Sequence, residues 1–203
     1  METNFNHEQS LALINEMISR AKNNLQKERT CSLIFWGSII ALTAITNCVL
    51  LHVLSPPHTS FLIWLVMFPA WGVSYFIDRR IDRSALVKTH IDKIGDRVWK
   101  SFGLGTLVFM IIIYAMAYLT KNYQIMMLIT PIIMVMVGIC EFISATVYRH
   151  KPWYWVALLF WVGAISGAFV SVDYQMIILS VCMTLGFVVP GLTLHFQAKK
   201  SHV

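Results

Sequence analysis

Apolar residues fall along this chain in six long blocks, and ahead of the first block they follow a different rhythm. In "NHEQSLALINEMISRAKNNLQKE" (residues 6–28), Leu11, Ile14, Ile18, Ala21 and Leu25 recur at the three- and four-residue spacing of one helical face. Asn15, Glu16, Arg20, Asn23 and Lys27 occupy the opposite face. Asn6 followed by Gln9 gives a capping arrangement at the start. The pattern predicts an amphipathic helix within residues 1–30. Its stripe Leu11, Ile14, Ile18, Leu25 needs a surface to cover. That surface is the plane of a membrane interface, the groove of a cytoplasmic protein, the same helix of a second copy (a homo-oligomer), or the chain's own 78–101 segment.

The six blocks are Cys31–Leu54, Phe61–Ile77, Phe102–Leu119, Tyr123–Val147, Trp153–Val172 and Tyr174–Phe196. Each is of the order of the 17–25 residues that cross a hydrocarbon core about 30 Å thick. Backbone in lipid must satisfy its own hydrogen bonds, so these are helices. The ten-residue alternation of a membrane barrel is missing. The first block is too long, and lies too far behind a polar stretch, to be a cleavable signal. Between the second and third blocks, "DRRIDRSALVKTHIDKIGDRVWKS" (78–101) is again helical in pattern, with Val87, Ile91, Ile94 and Val98 on one face. It is expected to run on into the third span, with Gly95 as a weak point costing about 1 kcal/mol relative to Ala. Trp99 and the Trp153, Tyr154, Trp155 trio read as interfacial anchors. Pro69, Pro131 and Pro190 lie inside spans and are expected to kink them or to remove backbone bonds that neighbours re-satisfy. The fold class is all-α, a polytopic six-transmembrane-helix bundle. Residues 1–30 form a cytoplasmic amphipathic helix, and 31–203 form the transmembrane domain.

Composition agrees. Of 203 residues, 57% are apolar and only 13% charged, against about 45–50% and 25% in soluble domains. The formal net charge is +6, and its distribution is more telling than its size. Every Lys and Arg except Lys121 falls on segments 1–30, 78–101, 148–152 and 197–203, which six spans place on one side. Basic residues near span ends stay in the cytoplasm, so both termini are expected there. The opposite connections, "SPPHTS" (55–60), "TKN" (120–122) and a turn near Asp173, are too short for an external domain. Basic residues spread over short loops do not make a nucleic-acid surface.

Chemical motifs are few. Cys31, Cys48, Cys140 and Cys182 form no C-x-x-C pair and read as buried thiols. The histidines lack H-E-x-x-H spacing, and no G-x-S-x-G or phosphate-binding loop occurs. No catalytic residue, metal ligand or cofactor follows. The unusual letter is Glu141, in "GICEFISATVYRHKPWYWV" (138–156). It precedes Arg149 by eight residues, roughly 12 Å along a helix, which puts it in the cytoplasmic half of the core. An acid at the bilayer centre costs roughly 2.5–3.5 kcal/mol on insertion scales. Glu141 is therefore either part of a transport or sensing pathway, or a hydrogen-bonded group that orients helices. Ser144, three residues on, is its local partner, and His195 on the last span its distant one. Gly163 and Gly167 form a G-x-x-x-G, which brings a second helix close, either within the bundle or at a dimer seam.

"INEMISRAK" ahead of the first span, "FWG" at its start, "THIDKIGDRVWKSFG" entering the third and "VVPG" near the end resemble a family of uncharacterised six-span bacterial inner-membrane proteins. The resemblance covers nearly the whole chain. It implies six helices and the bacterial cytoplasmic membrane, and brings no activity, cofactor or substrate. Its pattern has no acid at the Glu141 position. The expectation is a non-enzymatic helical-bundle protein surrounded by the lipid bilayer, with an interaction or regulatory role at the cytoplasmic face. The alternative is a small transporter or channel subunit that uses Glu141.

Overall fold

The structure, a computed structural model, describes residues 7–55, 57–82, 90–149 and 151–200. Every element among them is helical: α1 His7–Val53, a 3-10 segment Pro57–Val66 leading into α2 Met67–Asp82, and α3 His90–Thr120. A second 3-10 segment, Tyr123–Leu128, leads into α4 Ile129–Val147, followed by α5 Pro152–Ala168. The last stretch is α6 Val172–Met183, a π-helical turn Thr184–Val188 and α7 Val189–Lys200. Five stretches are long and apolar enough to cross a membrane: Thr30–Val53, Thr59–Ile77, Lys93–Thr120, Tyr123–Val147 and Val172–Phe196. The remaining apolar block, α5, is a shorter helix of 17 residues. It stops at Ala168, where the Phe169 and Val170 N–H groups turn back to Ser166 and Gly167.

The amphipathic segment and the first apolar block, expected as two elements, are one uninterrupted helix of 47 residues, about 70 Å long at 1.5 Å per residue. No Gly or Pro occurs before Gly37 to break it. The side chains of Leu11, Ile14, Ile18 and Leu25 lie outside the described residues. α3 likewise begins at His90 and passes through Gly95 into the third apolar block. Val87 also lies outside the described residues.

The three prolines, expected to kink their spans or to remove backbone bonds, mark changes of helix type. Pro69 and Pro131 are each the third residue of an α-helix that follows a 3-10 segment, and Pro190 is the second residue after the π turn. The physical cause is shared: proline has no N–H for the carbonyl four residues back. Before Pro131, the Ile129 N–H bonds to Met126 in the 3-10 pattern. Before Pro190, the Val189 N–H reaches back five residues to Thr184. The 3-10 rise of about 2.0 Å per residue also lengthens the second apolar stretch. Thr59–Ile77 reaches about 32 Å, where an α-helix of that length would reach about 28 Å.

Packing is strongest between α4 and α5, and between α1 and the α6–π–α7 stretch. α5 joins the two pairs through α6 and the π turn. The core between them holds Ala41, Ala44, Met134, Val137, Phe160, Met176, Leu179, Cys182 and Phe187. α3 leans on α4, and the 3-10–α2 arm leans on α1, where the Trp36 indole donates to Ser74 at 3.3 Å. Trp99, read as an interfacial anchor, is half-buried and packs against Phe102 and Phe187. The π turn sets Phe187 opposite it, giving the indole an apolar partner inside the bundle. Cys140 and Cys182 are buried as expected, whereas Cys31 is exposed.

Candidate functional site

α4 presents Met134, Val137, Gly138, Glu141, Ser144 and Ala145 as one buried face. The three- and four-residue spacing of these positions makes the face, and it carries Glu141 into the interior with its neighbours. Only 4% of Glu141 is accessible, and 3% of Ser144. Among the described residues, no hydrogen bond or ion pair closes on the Glu141 carboxylate. The Ser144 hydroxyl likewise has no partner, while its backbone carbonyl accepts from the Tyr148 N–H at 2.9 Å. The expected local bond between Glu141 and Ser144 is not formed.

Neighbouring helices fix the level of Glu141. Across α3 and α4, Gly105 faces Met136, and Gly95 faces Tyr148. Across α4 and α5, Trp161 stacks on Phe142 and donates to the Val135 carbonyl at 3.4 Å, and Tyr154 meets Thr146 at 3.0 Å. This antiparallel register sets Glu141 level with Phe102 on α3 and Ala157 on α5. Phe160 and Val156 in turn flank Gly186 of the π turn. An edge-to-face aromatic series runs Phe102–Trp99–Phe187–Phe160 at ring separations of 5.7–5.9 Å, crossing from α3 to the π turn to α5. The carboxylate thus shares its depth with aromatic rings and with the irregular turn of the last span, toward the Val147 end of the bundle.

His195, the expected distant partner, is exposed and lies edge-on to Phe196. α7 packs against α1 and the π turn and makes no substantial contact with α4, so His195 and Glu141 are not brought together. Gly163 and Gly167 are both buried within the chain. A Cβ on Gly163 would stand 2.5 Å from Met134 Cε and 2.7 Å from Cys182 Sγ, and one on Gly167 would meet Pro131 and Gln175 at 3.8 and 4.0 Å. The glycine pair seats α5 against α4 and α6.

A second buried polar pair, not singled out from the sequence, lies near the other end. Asn47 and Ser60 are each 0% exposed, and the Asn47 amide donates to the Ser60 carbonyl at 3.4 Å. The Asn47 Oδ1 and Ser60 Oγ atoms have no partner. The legible signal was Asn47 extending the small-residue series Gly37, Ala41, Ala44 along one face of α1. At the rim above, His52 pairs with Asp173 at 3.4 Å. Among the described residues no cluster of three His, Cys, Asp or Glu side chains could hold a metal ion. Comparison with family models, curated proteins and solved structures finds no match for the chain.

Proposed function

We propose that this chain is a six-span protein of the bacterial cytoplasmic membrane, with both ends in the cytoplasm. Its N-terminal arm pairs with the arm of a second copy to form an interaction platform there. The observation that carries the reading is the continuity of α1. A helix of about 70 Å that enters the bundle at Thr30 leaves residues 7–29 as a stiff extension of the first span. An arm continuous with the helix that packs on α6 and α7 passes any push or twist straight into the bundle.

Two further features support the reading. The apolar surface is extensive: Leu62, Phe68, Trp71, Phe76, Ile111 and Tyr118 are all exposed, where a soluble monomer keeps its contiguous apolar patches to a few hundred Å². A bilayer is the solvent such a surface suits, and the one-sided distribution of Lys and Arg orients it. The second feature is the arm's spacing. Leu11, Ile14, Ile18, Ala21 and Leu25 follow 3-4-3-4 intervals, the seam of a parallel two-stranded coiled coil. Fewer than three heptads are marginal alone. Two arms rooted side by side in one membrane meet at a high effective concentration.

The test uses a cysteine-free background. Ile14→Cys and Ile18→Cys cross-link between copies in native membranes, Glu16→Cys on the opposite face does not, and deleting residues 1–28 lowers the oligomer size. Equal cross-linking at all three positions, with oligomer size unchanged by the deletion, removes the reading.

A further inference from the structure

We propose that Glu141 and Ser144 form a cation site inside the bundle, one that takes a proton or a single alkali-metal ion. The inference is independent of the arm and rests on three observations. Glu141 is a carboxyl group almost entirely removed from solvent, with no hydrogen-bonding or charged partner among the described residues. A carboxylate in that state costs several kcal/mol, so it holds a counter-charge or a proton. Ser144, one helical turn away on the same buried face, keeps its hydroxyl oxygen unpartnered as well. Residues three apart on a helix are neighbours about 5–6 Å apart at Cβ, so both oxygens can converge on one small ion.

The third observation is the turn at the same depth in the last span. Pro190 cannot donate to the Gly186 carbonyl, and the backbone there is π-helical over Thr184–Val188. Single π turns are concentrated at functional sites, and interrupted helices at the level of a buried charge are a feature of ion pathways.

The donor set selects the ion. Transition metals need nitrogen or sulfur ligands in number, and the described residues offer no such cluster. Two hard oxygens with a single negative charge match a proton or one monovalent ion.

Dicyclohexylcarbodiimide is an apolar reagent that adds to a protonated carboxyl and leaves it as the N-acylurea, so it tests both ions in one assay. Purified full-length protein in neutral detergent is labelled at fixed ionic strength, with choline replaced stepwise by sodium or potassium. Labelling at Glu141, absent in Glu141→Gln, is expected. If sodium or potassium slows it several-fold and Ser144→Ala abolishes that protection, the site is an alkali-ion site. If alkali ions have no effect but labelling slows as pH rises, the site exchanges protons with water. Protein that labels Glu141 only after denaturation in dodecyl sulfate overturns the proposal. So does an alkali protection that Ser144→Ala leaves unchanged. Arm-deleted protein gives the same labelling as the full chain, which separates this site from the arm.

Discussion

Gly37 of α1 lies directly against Phe187 of the π turn: a Cβ at position 37 would stand 2.7 Å from the Phe187 Cβ and 3.0 Å from Val188 Cγ2. Neither contact is with the free end of a flexible side chain. Phe187 is also held by Trp99 and Phe160, so it cannot swing aside. Gly37→Ala must therefore push α1 away from the last span, and overpacking of this kind costs about 1–3 kcal/mol. Gly72→Ala is the matched control, since no atom lies within 4 Å of its Cβ position. Helix propensity there favours alanine by up to about 1 kcal/mol. Thermal unfolding in detergent should fall for the first variant, and hold or rise for the second.

The Gly163 contact separates two uses of the G-x-x-x-G. Because Met134 Cε and Cys182 Sγ fill the space beside Gly163, Gly163→Val crowds the chain's own interior. The expected result is a loss of about 2 kcal/mol or more in unfolding stability, with oligomer size unchanged by light scattering in detergent. Gly167→Ala, whose neighbours lie at ordinary contact distance, should be nearly silent. A change of oligomer size without loss of stability would show that the seam joins copies instead.

The all-helical fold and the places of its apolar helices were legible because each long apolar block satisfies its backbone hydrogen bonds internally only as a helix. Five blocks are long enough to cross a membrane, and the helix in the Trp153–Val172 block is shorter. The continuity of α1 could have been read from the lack of Gly or Pro before Gly37. Helix type was not legible. Pro190–Gly191 shows that a backbone bond is missing, but whether the chain kinks or widens into a π turn depends on Phe160 and Val156 closing on Gly186. The choice of His195 for Glu141 failed for a related reason: depth can be counted along a helix, whereas lateral neighbours cannot. α7, which carries His195, packs on α1 and the π turn, whereas the part of the last stretch that touches α4 is α6. Trp99 shows the same limit, since an aromatic at a block boundary can point either way until its neighbours are known. Asn47 carries no charge, so an apolar run can hold it at small cost, and its burial depends on the Ser60 contact, which the run itself does not encode.

The proposed six-span topology makes a prediction at two turns with left-handed backbone. Lys121 and Arg149 both have positive φ, 54° and 51°, and flank the Tyr123–Val147 stretch at its two ends. In a cysteine-free background, Lys121→Cys in intact cells should react with a membrane-impermeant maleimide. Arg149→Cys should react only after the membrane is opened. Reaction of both from outside would contradict the assignment of both termini to the cytoplasm.

Asn47 gives the sharpest stability prediction. Its amide bond to the Ser60 carbonyl is long at 3.4 Å, and Asn47 Oδ1 and Ser60 Oγ are left unpaired in a fully buried place. Burying a polar atom without a partner costs about 1–3 kcal/mol. Asn47→Leu removes the unpaired Oδ1 and gives up the long bond to the Ser60 backbone carbonyl, and Ser60→Ala removes the unpaired Oγ while keeping that carbonyl. Asn47→Leu should therefore shift stability by no more than about 1 kcal/mol, and adding Ser60→Ala should hold or raise stability relative to Asn47→Leu alone. Asn47→Asp puts a charge where Asn47 already lacks a full set of partners, and should cost about 3 kcal/mol or more at neutral pH. Thermal unfolding of the three variants in one detergent orders them. A large loss for Asn47→Leu would mean that Oδ1 is held by a tightly bound water, which buried polar pairs of this kind can recruit.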